Sequence, residues 1–135
     1  MLSSKRLLVA CDEEGIATYI EYIAAGSGLE TVTVASGTEA LRVFVAAIER
    51  TPRFDILVTD LELPGLCGER LIDMAVKRDP SLPVVVMSGR QRPGDSEISV
   101  HPTMWRFVQK PFGRKELLEA LEVAGYNAGL RRTTS

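Results

Sequence analysis

Short apolar runs alternate along the chain with longer stretches in which apolar residues recur every three or four positions. Leu7-Leu8-Val9-Ala10 is an unbroken apolar run cut off by the acids from Asp12 onward, the pattern of a buried strand. Ile16, Tyr19, Ile20 and Ile23 then share one helix face, which Gly26-Ser27-Gly28 stops. Residues 31–35, rich in β-branched side chains, predict a second strand. Ser36-Gly37-Thr38 turns the chain into a second helix, with Thr38 as its expected cap and Leu41, Phe44, Val45 and Ile48 on its face, ended by Pro52. Residues 55–60 predict a third strand, Leu63-Pro64-Gly65 a loop, and Gly68 opens a helix carrying Leu71, Ile72 and Ala75 that Asp79-Pro80 breaks. Residues 83–87 predict a fourth strand buried on both faces. Residues 88–103, punctuated by Gly89, Pro93, Gly94 and Pro102, predict a loop with at most a short helix over 95–100. Residues 105–109 alternate as an edge strand, and a last helix over 114–124 carries Leu117, Leu118, Leu121 and Ala124.

Five strands separated by helices predict an α/β fold, a parallel sheet covered on both faces. Right-handed crossovers leave few topologies, and the doubly wound, flavodoxin-like strand order 2-1-3-4-5 fits best. The expected organisation is one domain over residues 1–125 and a short polar tail over 126–135, with no output domain after it. In such sheets ligands sit beyond the carboxyl ends of the strands, near the switch point between strands 1 and 3.

Composition narrows the function. With 45% apolar and 25% charged residues the chain can build a core, so a disordered chain is excluded. A net charge of −2 offers no basic field, so no nucleic-acid partner is expected. The N-terminal apolar run is too short for a signal peptide and no run approaches a bilayer span, so no membrane partner is expected and the expected location is cytoplasmic. One histidine and two cysteines, Cys11 and Cys67, do not make an ordinary zinc site.

The carboxyl ends of the predicted strands carry the chemistry. Strand 1 ends at Cys11-Asp12-Glu13, strand 3 at Asp60, strand 4 at Ser88 and strand 5 at Lys110. Each has an ordinary explanation as a cap, a turn or a solvated strand end. All four on one rim read differently. Asp12 and Asp60 lie on adjacent strands about 5 Å apart, where two carboxylates repel unless a cation lies between them. Oxygen ligands alone suit Mg²⁺, which keeps several waters and accepts a phosphate oxygen. Lys110 and Ser88 can hold further phosphate oxygens, so the rim reads as a site for one phosphoryl group on a carboxylate.

These residues also carry a resemblance. Asp60-Leu61-Glu62-Leu63-Pro64-Gly65-Leu66-Cys67-Gly68, Val86-Met87-Ser88-Gly89, Phe107-Val108-Gln109-Lys110-Pro111-Phe112 and Ala35-Ser36-Gly37-Thr38-Glu39-Ala40-Leu41 occur in the order found in the receiver domains of two-component response regulators, which the chain resembles over about residues 5–125. The resemblance implies that Asp60 is the phosphoacceptor and that Asp12, Asp60 and the backbone carbonyl of Glu62 hold Mg²⁺, with Glu13 as a further candidate. It implies that Ser88 binds the phosphoryl group and forms a switch with Phe107, that Lys110 pairs with a phosphoryl oxygen, and that the Lys110–Pro111 bond is cis. Glu62 and Arg90 would tune phosphate lifetime. The donor would be a phosphohistidine on a sensor histidine kinase or a histidine phosphotransfer protein, and the output a contact with a downstream protein. Homodimerisation is left open. The chain would be a phosphoacceptor that phosphorylates and dephosphorylates itself with Mg²⁺, not an enzyme with turnover.

The chain departs from that family at two places. The family has two acids at the end of strand 1. Counting back from Ser36-Gly37 puts Cys11 and Asp12 there, so a thiol replaces the first acid, while a register shifted by one would make Asp12-Glu13 the pair. The segment around residues 50–53 is also longer than usual. Cys11 leads to the alternative of a receiver that binds a partner without being phosphorylated. Flavin binding would need a Ser/Thr/Gly-rich loop where Cys11-Asp12-Glu13-Glu14 stands, and a haloacid-dehalogenase-type phosphatase an Asp where Glu62 stands.

Overall fold

A computed structural model describes residues 5–49, 53–89 and 104–134. In chain order these form β1 (Arg6–Ala10), α1 (Glu14–Gly26), β2 (Glu30–Val34), α2 (Gly37–Ile48), β3 (Ile56–Asp60), α3 (Gly68–Arg78), β4 (Pro83–Ser88), β5 (Met104–Gln109) and α4 (Arg114–Thr134). The strands make one parallel sheet in the order β2-β1-β3-β4-β5, the doubly wound, flavodoxin-like order that the sequence pattern predicts.

The pleat sorts side chains onto two cores. Leu7, Val9, Ile56, Val58, Val85 and Met87 face α1 and α4. Leu8, Ala10, Leu57, Val84 and Val86 face α2 and α3. Every residue of β3 and β4 is buried, as expected for strands covered on both sides. Beyond the ends of the strands, alternation continues to matter. Cys11 stays on the α1/α4 side with Met87. Trp105 and Phe107, half-buried on β5, pack on the other.

Apart from shifts of one residue at strand ends, several details differ from the sequence expectations, among them Val45, which joins neither core. On α1 the buried residues are Ala17, Ile20, Ile23 and Ala24, while Tyr19 is turned out beside the Phe112 ring, its centroid 6.2 Å away. Alanines let the helix lie close to the sheet, so the apolar stripe is rotated from the bulky residues toward the small ones. β2 begins at Glu30, one position earlier than its β-branched run, because Glu30 pairs with Arg6 of β1. Ser36, not Thr38, caps α2; its side chain accepts the Glu39 N–H at 3.1 Å. α4 does not stop near Ala124 but runs on to Thr134, through the stretch expected to be a polar tail. Ala, Leu and Arg continue the helix there at low cost, although Gly125 and Gly129 each disfavour it by about 1 kcal/mol. The predicted short helix over 95–100 and the longer segment at 50–52 lie outside the described residues.

Phe44 is 1% exposed and fills the space between α2 and the sheet, whereas Tyr22 is 71% exposed on α1. Phe44→Ala should therefore lower unfolding free energy by about 3–5 kcal/mol in urea titrations, and Tyr22→Ala should change it by no more than about 0.5 kcal/mol.

Candidate functional site

The β1–β3 ladder ends with Ala10 opposite Thr59, so Cys11 and Asp60 leave the sheet as neighbours. On the other side Asp60 pairs with Met87, and the Leu61 N–H donates to the Met87 carbonyl at 3.1 Å. The β4–β5 ladder ends with Ser88 opposite Gln109, and the Lys110 N–H donates to the Ser88 carbonyl at 2.7 Å. Parallel pairing in register thus brings Cys11, Asp60, Ser88 and Lys110, each at or just past a strand end, to one edge. The bond from Lys110 to Pro111 is cis.

Asp60 lies at the centre of this edge and is 2% exposed. The Lys110 ammonium stands 2.5 Å from its Oδ1 and 2.5 Å from Oε1 of Glu13, bridging the two acids. Yet neither carboxylate oxygen of Asp60 accepts a hydrogen bond of good geometry among the described residues. A buried carboxylate in that position pays for its charge. Burial accordingly raises the Asp60 carboxyl above the usual carboxylate range, against the pull of Lys110 and Cys11. Burial opposes the charge on Lys110 as well, but the carboxylates of Asp60 and Glu13 outweigh it and hold the ammonium above the ordinary lysine value.

Glu13 reaches the ammonium because its backbone, not its side chain, starts α1. It is the N-cap residue without a side-chain cap bond, and its carbonyl accepts the Ala17 N–H at 2.9 Å. Cys11 is 3% exposed, and its thiol donates to the same carbonyl at 3.5 Å. Burial, with Asp60 close by, pushes the Cys11 thiol up to about 12, so it stands here as a neutral group. Cys67 is half-buried at the start of α3, and both cysteines are free.

Carboxylate oxygens of Asp12, Glu13 and Asp60 all lie within 4.8 Å of one another. Three carboxylates against the one ammonium of Lys110 leave two formal negative charges. Two exposed acids, one buried acid with unsatisfied oxygens and a hard oxygen-only donor set fit a divalent ion such as Mg²⁺, which retains waters on its open side. Cys11 does not add to that fit, because soft sulfur suits a hard cation such as Mg²⁺ poorly.

Sequence reasoning placed Cys11, Asp12, Glu13, Asp60, Ser88 and Lys110 on this rim, and the structure puts all six at the carboxyl end of the sheet. Glu62 is exposed two residues past β3, and Phe107 lies on β5 three residues before Lys110. Arg90 lies outside the described residues. The bridge from Glu13 to Lys110 was not legible, because it joins residues 97 positions apart that only the assembled sheet brings together. The structure also shows Thr38 holding the loop after β3, its Oγ1 accepting the Leu66 N–H at 3.2 Å.

The response regulator receiver domain profile matches residues 7–122. The chain belongs to that family. Receiver domains of this kind are parts of two-component systems. The chain is 31% identical over 130 residues to the DNA-binding response regulator MtrA of Mycobacterium tuberculosis, a match that covers 95% of this chain and 51% of that protein. It is 29% identical over 116 residues to the DNA-binding transcriptional regulator NtrC of Escherichia coli, covering 86% of this chain and 24% of that one. The receiver domain thus spans about half the length of the first of these relatives. Among solved structures it is similar to a response regulator receiver domain from Clostridium thermocellum, at 26% identity and a TM-score of 0.79, covering 93% of this chain and 98% of that one. It is also similar, at 26% identity and a TM-score of 0.75, to the receiver domain of a sensor histidine kinase from Pseudomonas aeruginosa, covering 91% and 98% of the two chains; that domain has a magnesium ion coordinated in its active-site cleft. Among the described residues of this receiver, no helix is long and apolar enough to cross a membrane.

Cys11→Asp would place a third acid beside Asp60 and should tighten Mg²⁺ binding by about 1 kcal/mol or more at an effective dielectric near 20. Glu13→Gln should weaken it less than Asp12→Asn does, because Glu13 is committed to Lys110. Titration of MgCl₂ against backbone amide shifts measures all three. Unchanged affinity in Cys11→Asp together with lost binding in Glu13→Gln would instead make Asp12 and Glu13 the acidic pair.

Proposed function

We propose that this receiver accepts a phosphoryl group on Asp60 from a phosphohistidine of a sensor histidine kinase or a histidine phosphotransfer protein, and so switches a contact with another protein. The observation that carries this is the buried Asp60 carboxylate, which is paired with the Lys110 ammonium but accepts no hydrogen bond of good geometry among the described residues, on a rim that further acids open to solvent. A carboxylate oxygen of Asp60 forms the new P–O bond as the P–N bond to the donor imidazole breaks, and the imidazole keeps the electron pair of that bond. Such transfers depend on in-line positioning and on neutralised oxygens more than on proton chemistry. Lys110 is placed to follow the charge from carboxylate to phosphoryl oxygen, with Glu13 as its second anchor. Ser88, at the end of β4, offers a hydroxyl from the neighbouring strand. Mg²⁺, when held by Asp12, Asp60 and the Glu62 carbonyl, supplies positive charge to the transferring oxygens.

A phosphoryl group on Asp60 adds one to two negative charges, which a two-state element must read. Ser88 and Phe107 are proposed as that element: the hydroxyl draws in toward the phosphoryl group and the ring follows. Glu62 tunes the lifetime of the phosphate. The chain then works as a phosphoacceptor in the cytoplasm, and with no basic field its output is a protein contact. Cys11 in the place of an acid favours a second reading, a receiver that binds its partner unphosphorylated.

With acetyl phosphate and Mg²⁺, intact mass should show one added phosphoryl group that hydroxylamine removes, and Asp60→Asn should gain none. A phosphoryl group still acquired by Asp60→Asn would move the acceptor elsewhere, and a parent chain that gains none while binding Mg²⁺ would favour the unphosphorylated module. Ser88→Ala should still take the group yet lose most of the amide-shift response around Phe107 on beryllofluoride binding. Identical responses in Ser88→Ala and the parent would separate Ser88 from the switch.

A further inference from the structure

The loop from β3 to α3 is tied to the fold at both ends. At its start the Leu61 N–H donates to Met87 and the Gly68 N–H closes back on the Leu61 carbonyl at 2.9 Å. Its far side lies against the first turn of α2, where the Gly37 N–H donates to the Pro64 carbonyl at 3.3 Å and the Leu66 N–H donates to Thr38 Oγ1 at 3.2 Å. The approach is close enough that a Cβ on Gly37 would fall 1.7 Å from the Leu66 carbonyl oxygen. Gly65, at a φ of 72°, lies so near that a Cβ there would fall 2.6 Å from Thr38 Oγ1. Thr38 is exposed and is not needed as the cap, which Ser36 supplies, so its hydroxyl is spent on the loop.

Glu62 lies between these two sets of ties. We propose that Thr38 is a positioning residue for the divalent-cation site: by accepting the Leu66 N–H it fixes the loop that carries the Glu62 carbonyl. This rests on the role given to that carbonyl under the proposed function. Mg²⁺ demands near-ideal octahedral geometry at about 2.0–2.1 Å, whereas Ca²⁺ accepts irregular geometry at about 2.3–2.6 Å. A backbone oxygen on a loop pinned at both ends serves the smaller ion. Loosening one pin leaves the charge of the site intact but spreads the positions of that oxygen, which penalises Mg²⁺ and spares Ca²⁺. The signature of Thr38 is therefore a change in metal preference and not a loss of fold.

The test is titration of the whole chain with MgCl₂ and, separately, CaCl₂, followed by backbone amide shifts, for the parent, Thr38→Val and Thr38→Ser. Thr38→Val keeps the shape and removes the acceptor; it should weaken Mg²⁺ binding about three- to tenfold, the worth of one hydrogen bond, and Ca²⁺ binding by less than about twofold. Thr38→Ser, which keeps Oγ, should restore the parent's Mg²⁺-to-Ca²⁺ ratio. An unchanged ratio in Thr38→Val overturns the inference, as does an equal loss for both ions accompanied by a lower melting temperature in chelator, the mark of a merely structural bond. A parent chain that binds neither ion overturns the cation site itself. A parent that binds Mg²⁺ with Thr38→Val unaltered leaves that site standing and removes only Thr38.

Discussion

The Lys110 ammonium is the one cation, among the described residues, set against carboxylate oxygens of Asp12, Glu13 and Asp60 that lie within 4.8 Å of one another. Burying Asp60 at the centre of the sheet would otherwise leave a charge out of water with no opposite charge beside it. The position of the ammonium in turn depends on the edge strand. β5 must pair with β4 up to Gln109, and the Lys110 N–H must meet the Ser88 carbonyl, before the side chain can reach across to β3 and the start of α1. The compensation is incomplete, because two negative charges remain. A site left slightly short of positive charge attracts a cation or a cation-bearing anion, and it is less stable empty than a neutral core would be. Cys11 moderates that cost. Its neutral thiol occupies a place beside Asp60 where another acid would add to the repulsion.

Glu13 brings a negative charge to the rim from the turn into α1 and not from a strand end. It lies on the turn into α1, where its side chain is exposed and its ion pair taken alone would contribute little. Shared with a buried acid through one ammonium, the same pair helps decide where the lysine rests.

The parts of this arrangement that follow from periodicity were readable in advance. Unbroken apolar runs marked strands buried on both faces, and the residue at the end of each run marked the rim, so Asp60, Ser88 and Lys110 stood out before any coordinates. The parts that depend on the exact path of a turn were not. Thr38 has the composition of a cap, but whether a hydroxyl bonds its own helix or a loop 28 positions away is decided by which backbone lies against it. The buried stripe of α1 was misplaced by the same kind of ambiguity, since alanines at 17 and 24 carry little apolar signal yet allow the closest contact with the sheet. The end of α4 was missed because its apolar repeat ceases at Ala124 while helix formers continue.

Glu13 and Lys110 are separated by 97 positions, and each strand pairing in the sheet is parallel, so partners lie far apart along the chain. Contacts of this kind close large loops, and the entropy of closing them must be met before they stabilise the fold. During synthesis from the N-terminus, β1 and β3 are complete while β5 has yet to be made, and Asp60 then lacks its ammonium. The rim gains its balance of charge only when the last strand has docked. Partial folds that lack β5 therefore carry the acids without the ammonium that balances them, so the charge of this rim records whether the sheet has been assembled through to its edge.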